Sequence, residues 1–432
     1  HVKIEYSSLL QKESFIDENK SRLESEISRL NQEKEEIKQK QELTAGDVKS
    51  KQAEIEDVNI LIKNGHVIDP ANKVDEIKNV VISNGFIVEE NSIQPDIILD
   101  AKGKYIFPGL IDYHAHIAVK STELGIDADT SMLNQGVVSA VDAGSCGISS
   151  FENFVENIVN RSKMNIQAFI NLCPAGLATM KYHEDYNPKY WDEKQLRYFF
   201  TKYSDLLLGV KIRISKPILG DYGFRIFEKA VEFASKLNTR LCVHTTDPVG
   251  GMAKVAKLLR KGDILAHCFH GTGSSIIGEN GKVLPEIIEA QKRGVIMDAA
   301  NGSNHWSFIT TDAAIKSGFY PDVISTDLSC KTLYKDPVFS LPYIMSKYLM
   351  LGMPLTKIIK AVTITPASLM NSNNGLGTLS VGAEGNVSVF ALENKDIVFS
   401  DTQKRTRMGH QVLVPQLTVC QGKIVYRNIT FQ

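Results

Sequence analysis

Two histidines stand one residue apart in "FPGLIDYHAHIAVK": His114 and His116. Residues i and i+2 of a strand share a face, so both imidazoles would point the same way. Imidazole is a common zinc ligand, and two from one strand form a chelate. Four further polar residues interrupt apolar runs: Lys211 in "LLLGVKIRI", His244 in "RLCVHTTD", His267 in "DILAHCFHG" and Asp327 in "DVISTDL". Singly, each is weak evidence. A bare H-x-H is more often chance than metal, a lone His244 or His267 is more often a satisfied core histidine, and a lone Asp327 can cap a helix. Lys211 is odd on its own, because a lysine inside an apolar strand carries a desolvation cost unless paired or modified. Together they are the donor types of a hydrolytic metal site, where the ion acidifies a water and polarises a carbonyl.

These residues need elements that end close together. From about Phe107 to Asn371 eight apolar strand candidates alternate with helical stretches: "YIFPGLIDYHAH", "GVVSAVDAG", "IQAFINLC", "LLLGVKIRI", "RLCVHTTD", "DILAHCFHG", "GVIMDAAN" and "DVISTDL". "GFRIFEKAVEFASKLN" and "VLPEIIEAQKRG" are among the intervening helices. Eight such units read as an α/β fold, a (β/α)8 TIM barrel, over 108–371. A doubly wound sheet is the alternative, but the strand count and the polar residues at strand ends favour the barrel, whose active site lies at the C-terminal strand ends. Short β-rich runs with Asn-Gly and Lys-Gly turns fill 59–107, and the same texture returns over 372–432, predicting a small β-sandwich built from both flanks. Residues 1–58 read as a helical extension. Ile16, Leu23, Ile27, Leu30 and Ile37 form a stripe interrupted by Lys20 and Lys34, coiled-coil-like over about three heptads. Gly46 is placed at a turn before a second short helix toward Ile55. A helix on the chain's own surface and a dimerisation or docking helix are both open readings.

Four histidines, one lysine and one aspartate at the ends of five strands, with the "FPGLID" lead-in and the β-rich flanks, resemble the amidohydrolase superfamily from about Asn59 to the end of the chain. The resemblance implies a binuclear centre of two divalent ions, with zinc expected from the donor types. It further implies that Lys211 is an N6-carboxylysine, whose CO2-derived carbamate bridges the two ions. One ion would be held by His114, His116, the carbamate and Asp327, and the other by the carbamate, His244 and His267. A bridging hydroxide would attack the substrate carbonyl, with Asp327 as general base and then acid. Dihydroorotase-like members read H-x-H-x-R, whereas this chain has Ala118 at the arginine position. The D-aminoacylase branch bridges its metals with cysteine, whereas "GVKIRIS" keeps the lysine. "SAVDAGSCG", "LGVKIRIS" and "AHCFHG" resemble the deacetylase-like metallohydrolases, which act on small N-acetyl or O-acetyl acids. That branch tends to carry Gly-His-Gly after strand seven, and "DAANGSNHWSF" departs from it. The expected activity is hydrolysis of an amide or ester bond of a small acylated acid. A cyclic amidase related to dihydroorotase or hydantoinase is the alternative, and a noncatalytic scaffold belongs to another class.

Arg213 lies two residues past Lys211 and is expected to grip a substrate carboxylate; an arginine paired with a neighbouring acid to close the barrel top is the competing reading. His270 and His305 are further candidates for substrate binding, His305 lining the pocket with Trp306. His183, in "KYHEDYNPKYW", is a candidate lid residue. "HCFHGTGSS" lacks P-loop spacing, so no nucleotide site is read. Ser145-Cys146 as a nucleophile is outweighed by the metal set.

The overall balance fits a small-molecule enzyme. Lys and Arg number 49 against 50 Asp and Glu, without the basic excess of a nucleic-acid binder. No run approaches the ~20 apolar residues of a membrane span, and the first residues lack the apolar core of a signal peptide. The six cysteines form no C-x-x-C pair and most follow β-branched or apolar runs, as buried thiols do, which points to a reducing, cytoplasmic setting. The expected partner is a small-molecule substrate, with no nucleic acid and no membrane, and a homo-oligomer is expected.

Overall fold

The computed structural model describes residues 16–17, 19–38, 40, 58–90, 93–371 and 374–432. Two units divide between Asp57 and Val58. In the first, the described residues between 16 and 40 are helical, and Ile16, Leu23, Ile27, Leu30 and Ile37 are exposed along it. The Gly46 turn and the second short helix expected toward Ile55 lie outside the described residues.

The second unit begins with strands β1 (Ile60–Asp69), β2 (Val74–Ser83), β3 (Phe86–Val88), β4 (Ile97–Asp100) and β5 (Tyr105–Pro108). The barrel strands follow: β6 (Leu110–Ala115), β7 (Val137–Ala143), β8 (Asn165–Asn171), β9 (Leu207–Arg213), β10 (Arg240–His244), β11 (Ile264–Ala266) and β12 (Ile296–Asp298). Strands β13 (Val387–Ser400), β14 (Thr406–Cys420) and β15 (Lys423–Arg427) close the chain.

The flanks meet in one eight-stranded sheet of order β15-β14-β13-β5-β1-β2-β3, with β4 also paired to β1. The joint is antiparallel pairing of β13 with β5, Val387 opposite Pro108 and Phe390 opposite Tyr105. Residues 105–107, placed from sequence both in the first β-rich flank and at the head of the first barrel-strand candidate, belong with Pro108 to this sheet. The sheet has its own apolar cluster, including Ile60, Ile62, Ile82, Val387, Val389, Leu417 and Val419.

Strands β6 to β12 form a parallel seven-stranded sheet in sequence order. Their residues are buried almost without break, as expected of parallel strands covered on both faces. The eighth expected strand, "DVISTDL", is a looser segment that closes the ring. Val323 bridges to Asp298 of β12 and Leu328 bridges to Ala115 of β6, both in parallel sense. The backbone bonds Ala299 N to Val323 O (3.0 Å) and Asp327 N to His114 O (2.7 Å) secure its two sides. The neighbouring helices seal the outside. Gly223–Lys236 buries Ile226, Phe227, Ala230 and Ala234 on one stripe, the i, i+4 spacing of an amphipathic helix. Pro285–Arg293 starts on proline and stops at Gly294, in the left-handed region at φ 95°, the asymmetry that helix ends favour. Among the described residues no helix is long and apolar enough to cross a membrane.

Candidate metal centre

The polar residues converge where the barrel strands end. His114 lies near the C-terminus of β6, and His116 follows it. Lys211 is in β9, His244 ends β10, and His267 follows β11. All five are buried. Asp327 comes from the closing segment, and its Oδ1 is 3.0 Å from His116 Nε2 and 3.8 Å from His114 Nε2.

Two donor groups result. His114, His116 and Asp327 form one, and His244, His267 and His305 the other; within each group the ligand atoms lie within 4.8 Å of one another. Rings of the two groups are close neighbours, His114 and His267 having centroids 5.1 Å apart. Lys211 Nζ is 3.5 Å from His114 Nε2. Both groups, Lys211 and Arg213 line one cavity of about 200 Å³, a size for a small molecule.

The orientation of the rings is fixed from behind. His114 Nδ1 meets Asp298 Oδ2 at 2.8 Å, and His267 Nδ1 meets the Ala300 carbonyl at 2.7 Å. The carbonyl can only accept, so Nδ1 of His267 carries the proton and Nε2 keeps its lone pair for the cavity; an ionised Asp298 imposes the same tautomer on His114. His116 Nδ1 meets Ser145 Oγ at 2.8 Å, and that hydroxyl donates onward to Asp142 Oδ2 at 2.7 Å. His305 Nδ1 meets Thr246 Oγ1 at 2.8 Å. Such outer partners are what metal-ligating histidines carry.

Burial holds His114, His244 and His267 well below the usual imidazole range and brings His305 down to about 4. A neutral imidazole is the ligating form. Burial pushes Asp298 up to about 7, against the bond from Ser325. Burial also pushes Asp327 upward, but its bond to His116 and the nearby imidazoles outweigh that and hold it below the usual carboxylate range. The donors, three imidazoles facing two more with a carboxylate, fit divalent ions of the zinc type.

The backbone is bent to make this fit. His267 (φ 67°) and Asp327 (φ 54°) both occupy the left-handed region, which non-glycine residues adopt at a cost and which clusters at functional sites. Gly144 (φ 85°) leaves room for the Lys211 stem, since a side chain there would strike Lys211 Cβ and Cγ.

Several expectations change. Arg213 lines the cavity, and its Nη1 donates to Glu184 Oε1 at 2.8 Å, so it is both a wall cation and half of a closing ion pair. His270 does not reach the cavity wall: the turn closed by His270 N to His267 O at 3.1 Å sends it into the core, fully buried. Trp306 is likewise buried, its Nε1 donating to Tyr348 Oη at 3.0 Å, so it does not line the pocket beside His305. His183 is exposed, away from the wall. Ser145 is occupied by His116 and Asp142, and burial pushes the Cys146 thiol up to about 12, which removes the nucleophile reading. Asp142, Asp298, Thr246, Glu184 and Lys331 were not singled out from sequence. Asp298 ends "GVIMD" and Asp142 nearly ends "SAVDA", so a polar residue closing an apolar strand would have found both.

The amidohydrolase family model matches residues 105–425. A deacetylase of Brucella anthropi is 32% identical over 328 residues, which cover 76% of this chain and 81% of that protein. A deacetylase of Agrobacterium fabrum is 32% identical over 328 residues, 76% of this chain and 80% of that protein. Among solved structures, a dihydroorotase superimposes with a TM-score of 0.77 at 28% identity, covering 86% of this chain and 98% of that one.

Proposed function

The chain belongs to the amidohydrolase family, hydrolases acting on carbon–nitrogen bonds, and on that premise we propose that it removes the acyl group from a small acylated acid at a pair of divalent ions. The observation that carries this reading is the convergence of two donor groups and Lys211 on one small cavity. His114, His116, Asp327 and a carboxylated Lys211 would hold one ion; the same carbamate, His244 and His267 would hold the other. Carboxylation replaces a buried ammonium by anionic oxygens, which removes the cost of burying Lys211 as a cation. Zinc is the expected metal. When bound, the two ions supply an acidified water and a polarised substrate carbonyl.

The chain's own residues do the rest. Asp327, held anionic among imidazoles, takes a proton from the attacking water and returns it to the leaving amine or alcohol. Arg213 and Lys331, both on the cavity wall, orient the substrate carboxylate, and Glu184 keeps the guanidinium from folding away. Ala118 is fully buried and leaves no arginine after the H-x-H pair, which favours acyl removal over ring opening. The free cysteines, all but Cys330 buried, fit a reducing, cytoplasmic setting. The second reading is a cyclic amidase, supported by the likeness to a dihydroorotase structure.

The test is a panel of N-acetyl-D- and L-amino acids, acetylated hydroxy acids, dihydroorotate and hydantoins, run on protein grown with zinc and bicarbonate. Turnover of an acetylated acid with about two ions per chain is expected. Turnover of the cyclic substrates alone would transfer the assignment to a cyclic amidase. Fewer than about one ion per chain with no turnover would favour a scaffold.

A further inference from the structure

His305 stands in a loop, "NGSNHW", that follows the seventh barrel strand rather than on a strand. Its ring is nevertheless as close to His267 as His244 is, and only slightly farther from His244. Centroid separations are 4.6 Å to His244 and 4.3 Å to His267, against 4.3 Å between His244 and His267. The three form a donor group whose ligand atoms lie within 4.8 Å of one another.

The loop is shaped to deliver it. Ala300 (φ 32°) and Gly302 (φ 53°) both turn through positive φ. A side chain on Gly302 would collide with Asp327 Oδ2 and His305 Cδ2, so glycine there permits the close approach. Gly302 N is fixed to Thr326 O at 2.9 Å, and Trp306 anchors the far side of the loop in the core. The Thr246 hydroxyl occupies His305 Nδ1. That leaves Nε2 on the cavity side, 3.8 Å from Asp327 Oδ2. His114, His116 and His267 show the same pattern, Nδ1 tied to an oxygen behind the ring.

We propose that His305 is a third imidazole ligand of the second ion, completing a three-histidine set with His244 and His267 that holds metal without the Lys211 carbamate. This rests on the binuclear reading above. It changes what the carbamate is needed for. Three neutral imidazoles are a sufficient protein ligand set for a catalytic zinc, so carbon dioxide would govern the bridge and activity rather than occupancy of the second position. It also joins the substrate loop to the metal, because a loop that carries a ligand cannot swing away while the ion is bound.

The experiment titrates zinc and cobalt(II) into metal-free protein in carbon-dioxide-depleted buffer, reading metal per chain by mass spectrometry and the cobalt d–d absorption. Wild type, His305→Phe and His305→Asp are compared, with circular dichroism as the check on folding. X-ray absorption of the wild-type zinc protein counts imidazoles directly and does not depend on any variant. The expected result is that wild type takes up a second ion, His305→Phe weakens that step by more than about 100-fold, beyond the 10–100-fold of an outer partner, and His305→Asp restores it. Absorption should show all five site histidines in the metal shell rather than four. Uptake of both ions by His305→Phe with unchanged affinity and cobalt spectrum would overturn the role of His305 and leave the binuclear reading standing. A wild type that holds no second ion under any condition would remove the binuclear reading itself, and this proposal with it.

Discussion

The two walls of the cavity are built differently. On the first, His114, His116 and Asp327 come from β6 and the segment that closes the barrel, and they are braced by the buried acids Asp298 and, through Ser145, Asp142. On the second, which also carries His244, the side chains of His267, His305 and Arg213 are braced largely from loops: the Ala300 carbonyl behind His267, the Thr246 hydroxyl behind His305 and Glu184 beside Arg213. Charged braces in a dry interior fix a ring strongly, because losing one leaves an unpaired buried group. The neutral braces behind His267 and His305 are weaker and easier to vary, Glu184 beside Arg213 being the charged partner on this side. The first wall is therefore suited to metal and proton chemistry that must not move, and the second to selecting the substrate.

The hardest test of that division falls on Asp327. Asp327→Asn keeps the shape but removes the charge facing His116 and His114 and the group proposed to carry the proton. Turnover should drop by about 10³–10⁴-fold, the upper range for a general acid–base group, on every substrate alike. Steady-state kinetics on two substrates of different acyl group would check it. A loss confined to one substrate would mean that the first wall also selects.

Arg213→Ala makes the converse demand of the second wall. Removing a charge-assisted contact worth about 1.5–3 kcal/mol should lower kcat/KM for acidic substrates by about 10–100-fold. Neutral analogues should be little affected, and bound metal unchanged. Metal loss in this variant would show that Arg213 supports the centre instead, and would break the division of labour.

The first wall was largely legible in sequence and the second only in part, for the same physical reason. His114, Lys211 and His244 interrupt apolar strands, and a strand of known direction states where its last residues go. His267 lies one residue past its strand and was equally visible. His305 has no such frame. Its position depends on two residues at positive φ and on Trp306 turning into the core, so sequence placed it in the pocket without its neighbours. His270 failed for the opposite reason: close to His267 in sequence, it is turned away by a tight bend. The barrel was readable because all eight apolar runs exist. The eighth was harder to characterise, since 323–328 closes the ring by bridges rather than as a regular strand. That the two flanks join was readable from their shared texture, but the register that joins them, β13 beside β5, depends on long-range pairing that local pattern does not encode.

A smaller effect separates the braces themselves. Ser145→Ala cuts the link between His116 and Asp142 and leaves a buried carboxylate facing an imidazole N–H without its bridge. Metal affinity should fall by about 10–100-fold, the usual cost of an outer partner. Competition with a chelator of known affinity measures it. An unchanged affinity would mean that the buried acids shape the barrel rather than the ligands.

The smallest effect is expected on the second wall and decides whether the contrast is real. Thr246→Val keeps the volume and removes the hydroxyl that orients His305. One neutral hydrogen bond contributes about 1 kcal/mol net, so affinity for the second ion should weaken by only about fivefold, and the ring can still turn its Nε2 inward against Gly302. Ser145→Ala and Thr246→Val remove the same kind of group, a hydroxyl behind an imidazole, and differ in what lies behind it. Asp142 stands behind Ser145, whereas Thr246 has no acid relay of that kind. If the two variants lose metal equally, the acid contributes nothing and the walls are equivalent. If the gap approaches tenfold, the buried carboxylate, rather than the hydroxyl that transmits its charge, makes the first wall rigid.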